Sequence, residues 1–177
     1  MLICTLLILA AALFANEEAV PAAVDFHGFA WGTSMQHFIS EAGLPVHQDE
    51  INGLQSLLYE NLSISGYPVF MVAYFSGNGL EGGTYYFNTH TFDELVQCYT
   101  NMQKELLEKF GTTFLCLPIM REPYDYESVW FLDSGYIRLK VDTRLNDPVS
   151  LWFSSPGLTS RLGITRAAFI PSAARAN

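Results

Sequence analysis

Two stretches of the chain place apolar residues at helical spacing. The first follows Thr33 and Ser34, which are suitable N-cap residues, and ends at Gly43. The second begins at Thr91 and ends at Gly111, with acidic residues in its first turn and lysines toward its end, as the helix dipole favours. Its apolar stripe consists of Phe92, Leu95, Val96, Tyr99, Met102, Leu106 and Phe110. We therefore predict one short and one long helix, each with a buried face.

The remaining apolar segments alternate or run continuously over short distances, which is typical of strands. They lie at residues 54–64, 69–76, 80–89, 113–119, 126–133, 136–144 and 149–155, and residues 25–31 form an earlier aromatic stretch of the same kind. Residues 45–53 are polar and are predicted to be a loop. The pattern predicts an α+β fold, in which an antiparallel sheet has two helices packed on one face. The element order also favours two successive helix-plus-meander units.

The N-terminal segment 1–15 resembles a secretory signal peptide. Residues 2–15 are apolar or small, and this run is shorter than the roughly 20 residues that span a bilayer. Cleavage is expected after Ala15, with Ala12 as the alternative. No Lys or Arg precedes the apolar run, so either the signal is atypical or translation starts upstream. The other interpretation is a buried N-terminal strand or helix of a cytosolic domain. We expect export, to the periplasm or outside the cell, with no stable transmembrane anchor.

Length and charge set the organisation of the remaining chain. With 177 residues, of which 50% are hydrophobic, the chain is expected to contain a single α+β domain at residues 16–155. Residues 156–177 contain three arginines and no acid, and are predicted to be a loosely structured basic tail or to fold back on an acidic surface. The formal charge is −9, and residues 1–103 contain ten acids and no Lys or Arg. This excludes nucleic acid as a partner for most of the surface and favours cationic partners or simple solubility.

Two cysteines remain if residues 1–15 are removed. A disulfide between Cys98 and Cys116 would close a loop of about 18 residues and stabilise an exported protein by about 3 kcal/mol in the chain-entropy model. The alternative is two separate buried thiols, because two cysteines alone do not define a disulfide framework.

The motifs for catalysis, cofactors and metals are weak. Residues 77–82 match the G-x-G-x-x-G string, but strand-forming residues follow where a dinucleotide site needs a helix, so a hairpin turn is predicted. His27, His37, His47 and His90 lie in four different segments without ligand-pair spacing. We predict no catalytic residue, no bound cofactor and no metal ligand.

The aromatic content is the stronger functional indication. The chain has 25 Phe, Trp and Tyr residues, and residues 69–75 and 84–87 place rings on both faces of a strand. Either both faces of the sheet belong to a core, or one face presents rings to a partner. Arg138 and Lys140 alternate with apolar residues and are expected on the outer face of their strand, where two cations are too few for nucleic-acid binding.

Residues 26–34 read Phe-His-Gly-Phe-Ala-Trp-Gly-Thr-Ser, and a helix ending before Gly43, Leu44 and Pro45 follows. This pattern is similar to that of small exported bacterial proteins of the BamE (SmpA/OmlA) and beta-lactamase-inhibitor-like superfamily. The second helix, ending in Lys-Phe-Gly-Thr at residues 109–112, resembles the same proteins. The chain lacks the lipobox expected of BamE itself, since only three residues precede Cys4. The resemblance implies a small α+β module that binds other proteins rather than catalysing a reaction.

We therefore predict an exported, non-enzymatic domain that binds a protein or another component of the cell envelope. The alternative is a small-ligand carrier or an enzyme whose site is assembled only in three dimensions. A deep cavity with converging polar groups favours the alternative, and a flat exposed sheet favours the first function.

Overall fold

The computed structural model describes residues 23–112, 126–142 and 148–166, together with the strand Leu115–Leu117. The predicted signal peptide lies outside these residues. The helices are α1 (Met35–Ala42), α2 (Phe92–Phe110) and α3 (Pro156–Arg161). The strands are β1 (His47–Ile51), β2 (Leu54–Ile64), β3 (Tyr67–Ser76), β4 (Gly79–Phe87), β5 (Leu115–Leu117), β6 (Glu127–Leu132), β7 (Gly135–Val141) and β8 (Val149–Ser154). In the described part of the chain, no helix is long and apolar enough to cross a membrane.

The eight strands of the described residues form one antiparallel sheet in the order β1-β2-β3-β4-β8-β7-β6-β5. Strands β1 to β4 pair with their neighbours in sequence, and β5 to β8 do the same. The last strands of the two groups, β4 and β8, then pair with each other. The predicted α+β class with an antiparallel sheet is thus confirmed.

The helix boundaries follow from local hydrogen bonding. Ser34 accepts a hydrogen bond from the backbone N–H of His37 at 3.2 Å and begins α1. Thr91 and Glu94 form a reciprocal capping box at the start of α2. The backbone N–H of His90, at 2.8 Å, is the main cause of the lowered pKa of Glu94. Both helices therefore begin where the sequence predicts.

One face of the sheet carries most of the core. The register aligns Leu57, Ala73, Gly83, Phe153 and Ile137 across five strands, and all five are buried. A Cβ added to Gly83 would lie 2.1 Å from the ring of Phe26. Glycine at this position therefore allows the segment before α1 to pack directly on the sheet.

Helices α1 and α2 contact this same side of the sheet. Phe38 of α1 is fully buried, and its ring centroid lies 5.9 Å from that of Tyr59 and 5.3 Å from that of Phe75. Tyr99 of α2 forms a 2.7 Å hydrogen bond with Ser128 of β6. The stripe of α2 is buried as expected at Leu95, Tyr99, Met102, Leu106 and Phe110, whereas Phe92 and Val96 are exposed.

Two local predictions were wrong. The stretch 25–31 is not a strand, because His27 and Gly28 both have positive φ and reverse the chain, which leaves a single bridge between Phe26 and Phe29. Residues 45–53 are not only a loop, because they contain β1. All five residues of β1 are exposed at the edge of the sheet, so the strand lacks the apolar alternation by which strands are recognised.

The segment expected to be a loose basic tail is ordered over residues 156–166. Ser155 caps α3 by accepting a 3.0 Å hydrogen bond from the N–H of Leu158, whose side chain is 2% exposed. Arg161 forms an ion pair with Glu81, and Arg166 donates a hydrogen bond to the carbonyl of Phe131 at 3.2 Å. Capping, one buried leucine and these contacts hold the segment in place. Residues 167–177 lie outside the described residues.

Cys98 lies on the buried face of α2 and has no disulfide partner among the described side chains, and burial raises the pKa of its thiol to about 12. The side chain of Cys116 lies outside the described residues. The disulfide between Cys98 and Cys116 therefore stays a prediction.

Candidate functional site

The sheet face opposite α1 and α2 is only partly covered, and we call it the open face. We define it by its half-buried side chains, which are Leu58, Phe70, Val72, Tyr74, Tyr86, Arg138, Lys140 and Trp152. These residues alternate along their strands with the core residues on the other face. The strand pattern thus produces a surface of rings and aliphatic groups with two cations at one side.

Two pairs of rings stack on the open face, one across the neighbouring strands β3 and β4 and the other between β3 and β8, on either side of β4. The ring centroids of Phe70 and Tyr86 are 4.8 Å apart with an interplanar angle of 14°. Those of Tyr74 and Trp152 are 5.6 Å apart at 27°. Burial and the neighbouring Tyr86 raise the pKa of Tyr74 to about 12, so its hydroxyl stays protonated at neutral pH. The pairs form a rigid aromatic platform with few rotatable bonds to immobilise on binding.

Helix α3 packs on one end of the open face. A Cβ added to Gly82 would lie 2.8 Å from a methyl group of Leu158, so glycine leaves room for the helix. The buried carboxylate of Glu81 accepts 2.7 Å hydrogen bonds from the hydroxyls of Ser76 and Ser155. Arg161 lies 3.4 Å from the same carboxylate. Glu81 therefore ties the start and end of α3 to the sheet.

A cleft of about 260 Å³ lies where the chain after α3 meets the open face. Leu162 and Ile164 form one side, and side chains of β4, β7 and β8 form the others. Thr84 and Trp152, which are register partners on β4 and β8, both line it. Thr84 is 2% exposed, and its Oγ1 is near enough to Tyr74 to affect that pKa but is not in hydrogen-bond geometry with any described residue.

The cations of the open face are held by buried carboxylates outside the cleft. Arg138 is paired with Glu127, and Lys140 Nζ lies 2.8 Å from a carboxylate oxygen of Asp142. Arg138 is the register partner of Trp152. Because both cations line the cleft and both carboxylates lie beside it, the cations are fixed at its wall while their charges are balanced locally.

The histidines do not assemble a metal site in the described part of the chain, where no group of three or more metal-ligating side chains occurs. The ring Nδ1 of His27 lies 3.0 Å from the Tyr85 hydroxyl, and burial lowers the pKa of His27. Phe29 stands between His27 and His37, with ring centroids 6.5 Å and 6.2 Å away. His47 lies on the exposed edge strand β1.

The G-x-G-x-x-G string is a hairpin turn and the start of β4, as predicted. Gly79 has a φ of +94°, and a Cβ there would lie 2.3 Å from the carbonyl oxygen of Gly32. The N–H of Leu80 donates to the Thr33 carbonyl at 2.8 Å, and the N–H of Gly32 donates to Leu80 at 2.9 Å. Gly79 therefore allows the backbone of β4 to lie close to the backbone of the segment before α1.

The sequence located part of this site. It placed Arg138 and Lys140 on the outer face of a strand and indicated rings on both faces of the sheet. It did not identify Glu81, Thr84 or Trp152. Residues 149–154 alternate between the two faces of the sheet, so Trp152 points away from the face that Leu151 and Phe153 occupy. This alternation is the local feature of the sequence that indicated a ring on the open face.

No protein-family model and no curated protein matches this chain. The structure is similar to that of an extracellular protein containing an SCP domain from Bacillus anthracis str. Ames, with a TM-score of 0.44 and 8% identity over 79% of this chain and 50% of that one. It is also similar to a DUF4309 family protein, YjgB, from Bacillus subtilis subsp. subtilis str. 168, with a TM-score of 0.45 and 9% identity over 77% of this chain and 88% of that one. The chain thus spans about half the length of the first of these proteins.

Proposed function

We propose that this protein is an exported, non-enzymatic domain, periplasmic or secreted, that binds another protein of the cell envelope through its open face. The observation that carries this proposal is the pair of ring stacks, Phe70 with Tyr86 and Tyr74 with Trp152, on the same sheet face. Aromatic residues are enriched at the centres of protein interfaces because each contributes a large contact area at a small cost in conformational entropy.

The fold supports this use of the open face. In the proposal, the two longer helices cover one side of two successive helix-plus-meander units, and the other side remains available for contact.

A relationship to the BamE (SmpA/OmlA) and beta-lactamase-inhibitor-like superfamily is part of the proposal and rests on residues 26–45 and 109–112.

Charge indicates the kind of protein partner. Described residues 23–103 contain eight acids and no Lys or Arg, and Asp49 lies exposed on β1 at the edge beside the open face. A partner with an apolar centre and a basic group facing β1 would complement the rings and Asp49 together. We therefore expect binding that weakens as salt screens the rim charges.

The test is capture of a partner from an envelope extract by the purified protein, followed by affinity measurement with the partner in pure form. Phe70→Ser removes one ring of a stack on the open face, and we expect at least about a fivefold loss of affinity. The matched control is Phe92→Ser, because Phe92 is 51% exposed at the start of α2. Capture that Phe70→Ser and Phe92→Ser reduce equally would contradict the proposal.

The second candidate function is a small-ligand carrier, and the cleft between the open face and the chain after α3 favours it. Its lining combines rings with hydroxyl and cationic groups, which suit the binding and orientation of a ligand. Native mass spectrometry of the purified protein separates the candidates, since a carrier would retain a small molecule.

A further inference from the structure

In the described sheet, strand β1 lies at one edge and has β2 as its single neighbour. The two strands are joined by a two-residue turn, in which Asn52 and Gly53 have φ values of +52° and +77°. A turn of this kind is flanked by a residue pair that exchanges two backbone hydrogen bonds, so Ile51 and every second residue before it face β2 with both backbone groups. The backbone groups of Gln48 and Glu50 therefore point away from the sheet.

The hydrogen bonds around β1 agree with this orientation. The backbone N–H of Glu50 donates to the side-chain carboxylate of Asp49 at 2.7 Å, rather than to β2. The carbonyl of Asp49 accepts a 3.3 Å hydrogen bond from the hydroxyl of Ser56 on β2. The bond between Glu50 and Asp49 joins two neighbouring exposed residues, and exchanging one hydrogen bond for another changes the free energy little. A carbonyl group of an added strand can therefore replace the Asp49 carboxylate.

We propose that β1 binds an extended segment of a partner protein, which adds to the sheet as a further strand and carries two adjacent basic residues flanked by apolar ones. In this mode of recognition, main-chain hydrogen bonds provide the affinity and the side chains on the two faces provide the specificity.

The charges of β1 favour basic residues on the partner. Asp49 and Glu50 are adjacent, so their side chains lie on opposite faces of the sheet, with Asp49 on the side of the open face. Gln55 donates to Glu50 at 3.0 Å, but neither acid forms an ion pair with a described residue. Described residues 23–103 contain no Lys or Arg. Two adjacent basic residues on an added strand would lie opposite the two acids, one on each face.

The same charges disfavour a second copy of this chain as the occupant. Edge strands are commonly protected by lysine or proline, and β1 contains neither. Its two acids would instead face two further acids if β1 paired with itself, and like charges directly opposite each other are destabilising. The edge is therefore protected against its own kind and open to a basic strand.

Exposed apolar residues lie beside the acids. Three of the seven large hydrophobic residues that are exposed in the described part of the chain fall within residues 44–51, and they are Leu44, Val46 and Ile51. Ile51 is 46% exposed and lies on the same face as Asp49, two residues away. An apolar residue next to the basic pair of an added strand would therefore contact Ile51.

The test is a titration of the purified full chain with the capped peptide Thr-Val-Lys-Lys-Val-Thr, followed by NMR and amide hydrogen exchange. The peptide should shift the backbone amide signals of Gln48 and Glu50 and slow exchange of the Gln48 amide. The signals of Phe70 and Tyr86 on the open face should stay in place. The peptide Thr-Val-Glu-Glu-Val-Thr has the same length with reversed charge and should bind at least about tenfold more weakly.

N-methylation of the peptide tests the backbone contact without a change in the protein. In an added strand, every second N–H group of the peptide faces β1. With the lysines opposite Asp49 and Glu50, these are the N–H groups of the first lysine and the second valine. Methyl groups on these two nitrogens should weaken binding at least about tenfold. Methyl groups on the first valine and the second lysine should weaken it less than about threefold.

Variants test the same contacts from the side of the protein. Gln48→Pro removes an outward N–H at an edge position that tolerates proline, and should weaken the lysine peptide at least about fivefold. Asp49→Asn combined with Glu50→Gln keeps both shapes and should abolish the preference for the lysine peptide over the glutamate peptide. Its control is Glu105→Gln combined with Glu108→Gln, two exposed acids on α2, which should retain the preference. If Gln48→Pro fails to fold, the N-methylated peptides test the backbone contact in the unchanged protein.

Three results would overturn this inference: amide signals of Gln48 and Glu50 unmoved by millimolar lysine peptide, equal affinity for the lysine and glutamate peptides, or equal effects of the two N-methylation patterns. Self-association that Gln48→Pro abolishes would also overturn it, because β1 would then bind a second copy of the chain. The inference goes beyond the proposed binding through the open face and does not depend on it. The titration reports on β1, whereas the capture experiment compares Phe70→Ser with Phe92→Ser, so failure of either proposal is visible without the other.

Discussion

Replacing Glu81 by alanine should detach α3 from the sheet. The carboxylate is the shared acceptor for the Ser76 and Ser155 hydroxyls, both at 2.7 Å, and its side chain is 10% exposed. A hydrogen bond to a charged group contributes about 1.5–3 kcal/mol, so the two hydroxyl bonds together contribute about 3–5 kcal/mol. Arg161 is half-exposed and adds no more than about 1 kcal/mol. We expect Glu81→Ala to lower the free energy of unfolding by about 3–5 kcal/mol.

Urea denaturation at pH 7 measures this loss, and amide hydrogen exchange locates it. Protection should fall first in α3, while β7 and β8 retain theirs. Glu81→Gln keeps one acceptor oxygen and should lose about half as much. The control is Glu105→Ala, which removes a hydroxyl–carboxylate bond of similar length, 2.6 Å to Ser65, at an exposed site. A loss for Glu81→Ala no larger than that for Glu105→Ala would refute the role of Glu81 as an anchor.

Two further predictions concern the turn before β4 and the buried thiol. Gly79→Ala places a Cβ 2.3 Å from a backbone oxygen at a φ of +94° and should cost about 2–4 kcal/mol in urea denaturation. Gly77→Ala meets nothing within 4 Å and should change stability by less than about 0.5 kcal/mol; equal losses would contradict the close approach. Because burial raises its pKa to about 12, Cys98 should resist a thiol reagent at pH 8 in the folded protein, and rapid labelling would refute this. In urea, labelling without reductant identifies a free thiol, whereas labelling only after reduction identifies the predicted disulfide with Cys116.

The sequence predicted those elements whose burial leaves a local pattern. The start of α2 is visible because Thr91 and Glu94 cap it and its apolar residues recur at helical spacing. Strand β7 is visible because Arg138 and Lys140 alternate with core residues. Edge strand β1 was missed because no side chain of it is buried, so its formation depends on pairing with β2 rather than on its own composition.

The cleft was beyond sequence reasoning because its parts are distant in the chain. Thr84 and Trp152 meet through the pairing of β4 with β8, and Ile164 joins them because α3, to which Glu81 is hydrogen-bonded through Ser155, packs on the sheet. Helix α3 was not predicted because residues 156–166 show no apolar periodicity. Their buried contact comes from a single leucine, Leu158. The cleft therefore depends on long-range strand pairing and on a buried carboxylate, and neither leaves a local pattern in the sequence.

The central position of β8 has a consequence for synthesis of the chain. The residues of β4 and β7 are both synthesised before those of β8, and each strand pairs with β8 on one side in the finished sheet. Until residues 149–154 are available, a nascent or truncated chain presents two unpaired strand edges at once, one from each meander. Unpaired edges recruit strands from other molecules, so this protein is vulnerable to aggregation until its final strand closes the sheet from within.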